Sequence, residues 1–170
     1  MITVSPSLGG MPGPYVIGAT GGSGTRVVAR IVRHGAMFVG TDLNASDDAL
    51  GFGDYSDRWI NVFMGGGGAR PSSPETSAAM AQDLQATVVR HLSSLLAEAP
   101  PSRWRAWGWK EPRSIFLLPF FDLHFPQLKF LHVIRDGRDM AYSSNQNQLL
   151  KHGRTVLSRL RMPRRKPSLS

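Results

Sequence analysis

Two stretches of the chain combine glycine, hydroxyl and arginine residues at spacings that suit the binding of an anion. The first is a glycine-rich run after Gly18, and its candidate binding residues are Gly22, Ser23, Gly24, Thr25 and Arg26. Glycines let the backbone approach a phosphate and adopt positive φ, and the N–H groups that open a following helix point at the anion. The hydroxyl groups of Ser23 and Thr25 add donors, and Arg26 adds a charge. The alternative is a tight strand-to-helix turn that binds no ligand.

The second stretch lies around Arg135, which follows an apolar run that predicts a buried strand. Arg135 is therefore expected at the carboxyl edge of a sheet, where ligands bind in α/β proteins. Ser143 lies eight positions further along, on the next predicted helix, and an arginine and a serine converging there would suit a phosphate. The alternative is a salt-bridged surface turn, in which Arg135 and Arg138 pair with Asp136 and Asp139.

The sequence lacks one residue that a triphosphate site of the kinase or GTPase type requires. The pattern of such sites, G-x-x-x-x-G-K-S/T, requires a lysine after its last glycine, and here Thr25 follows Gly24. A P-loop kinase therefore remains only as a minor alternative.

The elements that must position these residues alternate between strand and helix. Strands are predicted at 15–18, 36–39, 104–109 and 129–134, and helices at 25–34, 74–97, 114–124 and from Arg138 to about Leu150. Such alternation predicts an α/β fold with a mostly parallel central sheet and helices on its faces. Residues 40–73 are rich in Gly, Asp, Asn and Ser, which predicts a long loop that is either functional or disordered.

The charge is uneven along the chain. Of the net charge of +8, most belongs to the end, because residues 149–170 contain seven basic side chains and no acidic one. We therefore expect a flexible amino end at 1–12, a nucleotide-binding domain at 13–150 and a basic tail at 151–170. A nucleic-acid-associated basic protein is an alternative function, but no nucleic-acid partner is expected.

The chain of 170 residues has no cysteine, which excludes disulfides and cysteine-based zinc sites. It also lacks a visible signal peptide and any apolar run long enough to span a membrane. These features favour a cytoplasmic protein, and no metal is implied by the residues.

Together, the two anion-binding stretches resemble those of the sulfotransferases that use 3′-phosphoadenylyl sulfate (PAPS). That family has a strand-loop-helix, often with a P-K/R-S-G-T-T core, and Ser23-Gly24-Thr25 matches its S-G-T part. It also has a strand ending in V-R-D-x-R-D-x-x-x-S, which the run from Ile134 to Asp139 and then Ser143 match closely. The resemblance implies a P-loop-like three-layer fold. It also implies that residues 22–26 bind the 5′-phosphosulfate, while Arg135 and Ser143 bind the 3′-phosphate.

A third stretch, Trp109-Lys110-Glu111-Pro112-Arg113, looks like the K-D/E-P segment of tyrosylprotein and related bacterial sulfotransferases. By this resemblance Lys110 stabilises charge near the transferred group, although an ordinary lysine at a strand end is the alternative. The family also carries an acidic base after its second strand. Asp42 lies near the matching place, among the competing carboxylates Asp47, Asp48 and Asp54.

Two departures from the family pattern bear on activity. Gly22 stands where the family has a lysine or arginine that helps the sulfuryl group leave. The resemblance covers roughly residues 13–150, and family domains run on well beyond that point, so it implies a partial domain. The prediction is a sulfotransferase acting from PAPS on an unknown hydroxyl or amine acceptor. The alternative is a non-catalytic remnant that binds PAPS or its product 3′-phosphoadenosine 5′-phosphate (PAP).

Overall fold

Four parallel strands form the centre of the fold in a computed structural model of the chain, which describes residues 2, 10–20, 22–68, 70–97, 103–142 and 150–155. The strands are β1 (Tyr15–Gly18), β2 (Met37–Phe38), β3 (Ala106–Lys110) and β4 (Lys129–His132). Their order in the sheet is β2-β3-β1-β4. The registers Ile17 with Lys110 and Gly18 with His132 bring the carboxyl ends of β3 and β4 to either side of β1.

Helices cover the sheet on both sides, so the expected α/β class with a parallel sheet is confirmed. They are α1 (Thr25–His34), α2 (Leu50–Gly65), α3 (Pro74–Ala97), α4 (Ser114–His124) and the short α5 (Gly137–Ala141). Residues 150–155 are also helical, and within this segment His152 is buried and packs against Phe116. Among the helices in the described ranges, none is long and apolar enough to cross a membrane.

The prediction of one long loop over residues 40–73 is wrong, because α2 occupies the middle of it. The apolar residues that this helix buries recur every three to five positions, as one face of a helix requires: Phe52, Tyr55, Ile60 and Phe63. The glycines at 51, 53 and 65–68 obscured this periodicity in the sequence. The first part of this region is a loop, as predicted, and its turn at residues 42–48 joins β2 to α2.

The strand β4 is less buried than its apolar sequence indicates. Lys129 and His132 are exposed, Phe130 and Leu131 are half-buried, and Ile134 is 81% exposed. The reason is position, since within the described residues β4 pairs only with β1 and lies at the edge of the sheet. The strand also ends at His132, so Arg135 follows it by three residues.

The core is unequal on the two faces of the sheet. Val16 of β1 faces the larger cluster, made with α2, α3 and α4, while Ile17 faces a small cluster under α1. The larger cluster is aromatic, and Phe52 stacks on Trp109 with ring centroids 4.0 Å apart. Burying one side chain of this size contributes about 1.5–3 kcal/mol. The position of β3 is therefore fixed mainly from the α2 side.

The helix α1 buries fewer of its apolar residues than expected. Val28 and Val32 pack on the small cluster. Val27 and Ile31 of the same helix are apolar as well, but they are 62% and 64% exposed. One helix against a narrow sheet covers only part of its own apolar surface.

Gly108 allows β1 and β3 to lie close together. A Cβ atom at this position would collide with the backbone of Tyr15. Only glycine fits here, because the neighbouring strand occupies the space of any side chain.

Candidate functional site

A cleft of about 680 Å³ opens beyond the carboxyl ends of β1 and β3. Parallel sheets commonly bind ligands at this edge. Its lining comes from the loop after β1, the start of α1, the turn at 42–48 and the residues after β3: Gly22, Gly24, Thr25, Arg26, Val27, Arg30, Asn44, Ser46, Asp48, Lys110, Glu111, Pro112, Arg113 and Lys151. Four of the predicted binding residues and Lys110 are therefore brought to one cleft.

Two glycines of the glycine-rich loop have a left-handed backbone conformation, which a tight turn between a strand and a helix can use. Gly22 and Gly24 have φ of 79° and 86°, in the left-handed region that favours glycine. Gly24 also caps α1, and the N–H groups of Gly24, Thr25 and Arg26 donate to none of the residues that the structure describes. These groups carry the positive end of the helix dipole.

The two hydroxyl residues of the loop are both buried, and one of them is tied into the loop. The Ser23 hydroxyl donates to the carbonyl oxygen of Thr20, and its Oγ lies 3.2 Å from Thr20 Oγ1. Thr25 is the first residue of α1 and is 5% exposed. Ser23 therefore shapes the turn, while Thr25 lies where the helix meets the cleft.

Arg135 meets the glycine-rich loop directly. Its Nη1 donates to the carbonyl oxygen of Gly22 at 2.9 Å, although the two residues are 113 positions apart in the sequence. Its Nε lies 3.7 Å from the carboxylate of Asp139, and its side chain is 42% exposed. Ser143, the predicted partner of Arg135, lies outside the described residues. The two stretches predicted to bind an anion thus lie side by side at the ends of β1 and β4.

The salt-bridged turn that was the alternative for this region forms in part. Arg138 binds the Asp136 carboxylate through Nε at 3.1 Å and Nη2 at 2.8 Å. The Arg138 side chain and backbone both donate to Asp136 and hold the pKa of its carboxyl below the ordinary value. Arg138 satisfies Asp136, and the contacts of Arg135 within the described residues are one carbonyl and one loose carboxylate.

Lys110 is almost completely buried at the end of β3, with 2% of its side chain exposed. Its Nζ donates to the carbonyl oxygen of Ser46 at 2.8 Å and to the carboxylate of Asp48. The turn that carries Ser46 and Asp48 is held to α1 as well, because Arg30 pairs with Asp47 at 2.9 Å. Lys110 therefore reaches the cleft with its charge already matched by a carboxylate.

Asp42, the predicted base, is exposed and does not line the cleft. Its backbone carbonyl accepts a hydrogen bond from Leu50 at the start of α2, which gives the residue a local role. Asp48 is the carboxylate of this turn that lies in the cleft, where Asn44 also donates to it at 3.0 Å. From the sequence, Asp48 was only one of the alternatives to Asp42 for the role of base. Its position in the cleft depends on how the turn folds.

A buried ionic network beside Lys110 was missed by sequence reasoning. Arg113 donates to Glu111 at 2.8 Å, to the carbonyl of Gly53 at 3.1 Å and to the carboxylate of Asp57. Ser56 completes it by donating to Glu111 at 3.1 Å. Burial raises the pKa of the Glu111 carboxyl, although Arg113 opposes the effect. The one signal in the sequence is the charged run Lys-Glu-Pro-Arg directly after an apolar strand.

Lys151 extends this network from the helical segment at 150–155. Its Nζ lies 3.1 Å from Asp57 Oδ1 and 3.2 Å from Oδ2. Burial works to raise the pKa of Asp57, but hydrogen bonds and charge from Lys151 and Arg113 outweigh it and lower the pKa. Among the described residues, five basic side chains and two acidic ones line the cleft, and this excess of positive charge attracts anions.

Comparison with known proteins identifies no relative of this chain. It matches no family model, no curated protein and no solved structure.

Proposed function

We propose that the cleft binds PAPS and that the chain transfers its sulfuryl group to a hydroxyl or amine acceptor. The observation that carries the proposal is the hydrogen bond from Arg135 to the carbonyl of Gly22 at 2.9 Å. A ligand with two separate phosphate groups needs two anion-binding elements within the span of one nucleotide. The loop after β1 and the arginine after β4 meet this condition, because they touch.

The described residues fit the donor by charge and by donor type. The N–H groups of Gly24, Thr25 and Arg26 suit the 5′-phosphosulfate, since they are unpaired among the described residues and open a helix. Arg135 suits the 3′-phosphate because its guanidinium is half exposed and can bind two oxygens. Bound PAPS supplies the sulfuryl group, and these groups orient it and stabilise the charge left on the phosphate.

Binding without turnover is the second candidate, and the environment of Lys110 favours it. The ammonium group is held by Asp48 and the carbonyl of Ser46 rather than turned toward open cleft. In addition, Gly22 offers no cation, and its φ of 79° strains any residue with a side chain. Loss of one preorganised contact of this kind costs about 100- to 1000-fold in rate.

Calorimetric titration with PAP tests the donor site. We expect Arg135→Ala to weaken PAP binding about thirtyfold, because a hydrogen bond to a charged group is worth about 2 kcal/mol. The matched control is Arg138→Ala, which removes an arginine from the same turn that binds Asp136 instead of the loop. Failure of the wild-type chain to bind PAP would overturn the proposal, as would equal losses in both variants.

Transfer of labelled sulfate from PAPS to a panel of hydroxyl and amine acceptors separates the two candidates. Transfer that falls in Lys110→Ala while PAP still binds supports the enzyme. PAP binding with no transfer to any acceptor supports the non-catalytic candidate. Binding of ATP by a chain that does not bind PAP would instead indicate a kinase-type site.

A further inference from the structure

The turn between β2 and α2 brings a carboxylate into the cleft on a compact segment, residues 44–48, which we call the turn tip. The side-chain oxygen of Asn44 accepts hydrogen bonds from the N–H groups of Ser46 and Asp48, at 2.8 and 3.0 Å. The N–H group of Asn44 donates in turn to the carbonyl oxygen of Asp48 at 3.0 Å. Because these bonds close the turn tip on itself, it is built to move as a unit.

Two cations attach the turn tip to the rest of the described chain. Nζ of Lys110 donates to the carbonyl oxygen of Ser46 at 2.8 Å and to the carboxylate of Asp48. Nε of Arg30, in α1, donates to the carboxylate of Asp47 at 2.9 Å. Among the described residues, the other hydrogen bonds of the turn tip are internal to it. Both cations also line the cleft, so an anion bound there competes with the turn tip for them.

The two attachments differ in burial. The pair between Arg30 and Asp47 is open to solvent, with 64% and 26% of the two side chains exposed, and such pairs contribute little. The side chain of Lys110 is 2% exposed and that of Asp48 is 20% exposed. A buried ammonium group needs an anionic or carbonyl partner, because the loss of water is not otherwise compensated. The attachment through Lys110 therefore holds the turn tip, and it breaks only when another anion replaces Asp48.

The base of the turn is held separately from its tip. Leu43 and Ala49 form an antiparallel bridge, and the N–H group of Leu50 donates to the carbonyl oxygen of Asp42 at 3.1 Å. The N–H group of Ala49 also donates to the carbonyl oxygen of Lys110 at 2.8 Å. These are backbone contacts, so they persist when an anion pairs with the two cations. The turn tip is thus able to leave the cleft while the start of α2 stays in place.

We propose that the turn tip is an autoinhibitory gate, in which the Asp48 carboxylate occupies Lys110 until the sulfate group of the donor displaces it. This inference rests on the proposed binding of PAPS and concerns the regulation of that same site. Carboxylate and sulfate oxygens both accept charge-assisted hydrogen bonds from an ammonium group, so one replaces the other without leaving Lys110 unpaired. The coupling is reciprocal: the gate weakens anion binding by the same factor by which the anion weakens the closed gate.

Titration with inorganic sulfate tests the gate, with affinity measured from the rise in melting temperature at constant ionic strength. The variants are Asp48→Asn, Asp48→Glu, and Asp48→Asn combined with Lys110→Met. The matched control is Asp54→Asn, which removes an exposed carboxylate of α2 that is not part of the cleft lining.

We expect Asp48→Asn to bind sulfate about tenfold more tightly than the wild type, within the range of typical coupling between sites. Asp48→Glu keeps the competing carboxylate and should stay within about threefold of the wild type. Adding Lys110→Met should abolish the gain, and Asp54→Asn should match the wild type. Sulfate binding by Asp48→Asn that is no tighter than that of the wild type would overturn the proposal, since Asp48 would then be a fixed structural partner of Lys110. A gain that survives Lys110→Met, or that Asp54→Asn shares, would overturn it as well.

A second measurement does not depend on the folding of Asp48→Asn. The chain has no cysteine, so Ala45→Cys places a single spin label on the exposed turn tip. Saturating sulfate should increase the mobility of this label in the electron paramagnetic resonance spectrum, whereas chloride at equal ionic strength should not. The control label is Val89→Cys, at an exposed position of α3, and its spectrum should not change. Sulfate binding without a change at position 45 would refute the displacement of the turn tip.

Titration with PAP separates this proposal from the one on which it rests. PAP binding by the wild type, without a gain for sulfate in Asp48→Asn, refutes the gate alone. A gain for sulfate in a chain that does not bind PAP supports a gated anion site but refutes PAPS as its ligand.

Discussion

The strands β3 and β4 both pair in parallel with β1, and both are followed after three residues by an arginine, yet the two arginines differ. Arg113, after β3, is 13% exposed and donates to Glu111, Asp57 and the carbonyl of Gly53. Arg135, after β4, is 42% exposed, and among the described residues it donates to one carbonyl, that of Gly22.

The difference follows from the position of each strand. β3 lies inside the sheet, and α2 packs above its carboxyl end and supplies acceptors to Arg113. Within the described residues, β4 lies at the edge of the sheet. No described helix supplies hydrogen-bond acceptors to Arg135 as α2 does to Arg113. Two similar strand-end sequences therefore give one arginine that holds the protein together and one that is available to a ligand.

The largest expected effect is on the β3 side, in the free energy of unfolding of Arg113→Met. The change leaves the buried carboxylate of Glu111 without its partner, which typically costs 3–5 kcal/mol, so we expect a loss of about 4 kcal/mol. Urea denaturation monitored by circular dichroism measures it. Arg58→Met is the control, since the Arg58 pair with Asp83 is exposed and its loss should cost less than about 1 kcal/mol.

The second prediction concerns His91, which is half-buried and donates from Nε2 to the carbonyl of Gly108 in β3 at 2.8 Å. Burial lowers the pKa of His91 from 6.5 to about 4. The unfolded chain therefore takes up a proton first, and stability is lost as pH falls from 6.5 through 4. The full loss is about 3 kcal/mol, and the contribution is constant above pH 6.5.

Urea denaturation at several pH values between 7 and 4 measures the His91 effect. In His91→Leu, the free energy of unfolding should no longer lose this contribution of about 3 kcal/mol as the pH falls. His132→Leu, which changes an exposed histidine of β4, is the matched control. A His91→Leu profile parallel to that of the wild type would contradict the prediction.

A smaller effect is expected in the loop that lies between the two strand ends. Gly24→Ala should lower the free energy of unfolding by about 1 kcal/mol, because φ is 86° and a Cβ meets no atom within 4 Å. The cost is thus one of backbone conformation alone. Gly137→Ala is the control, since Gly137 is equally open but has no positive φ, and thermal denaturation of both variants should separate them.

The smallest effect completes the comparison. Arg135→Ala should change the free energy of unfolding by less than about 0.5 kcal/mol, since its contacts are exposed. The same urea denaturation used for Arg113→Met measures it. A loss in Arg135→Ala as large as that in Arg113→Met would remove the distinction between a structural arginine and one that we propose binds a ligand.

The sequence predicted the parallel α/β fold because apolar strands and helices alternate along it. Bounds were accurate where prolines mark them, since Pro74 opens the helix at 74–97 and the helix at 114–124 ends before Pro126. The helix α2 was missed because its glycines weaken the pattern, and its stability comes from packing of Phe52 and Phe63 on distant residues.

The site could be predicted only as separate segments. The glycine-rich loop and Arg135 were each found from local residue types, but their contact depends on the pairing of β1 with β4. Asp42 was preferred over Asp48 by its position in the sequence, whereas the contact with Lys110 depends on how the turn folds back over β3. Long-range pairings of this kind leave no mark in a single sequence.

Gly108 has a consequence for the width of the cleft. It lies in the middle of β3, away from the cleft, yet it sets the spacing between β1 and β3 because only a hydrogen atom fits against Tyr15. The loop after Gly18 follows β1, and Lys110 ends β3, so the two sides of the cleft continue from these two strands. The absence of a side chain at Gly108 therefore affects how far Lys110 lies from the loop on the other side of the cleft.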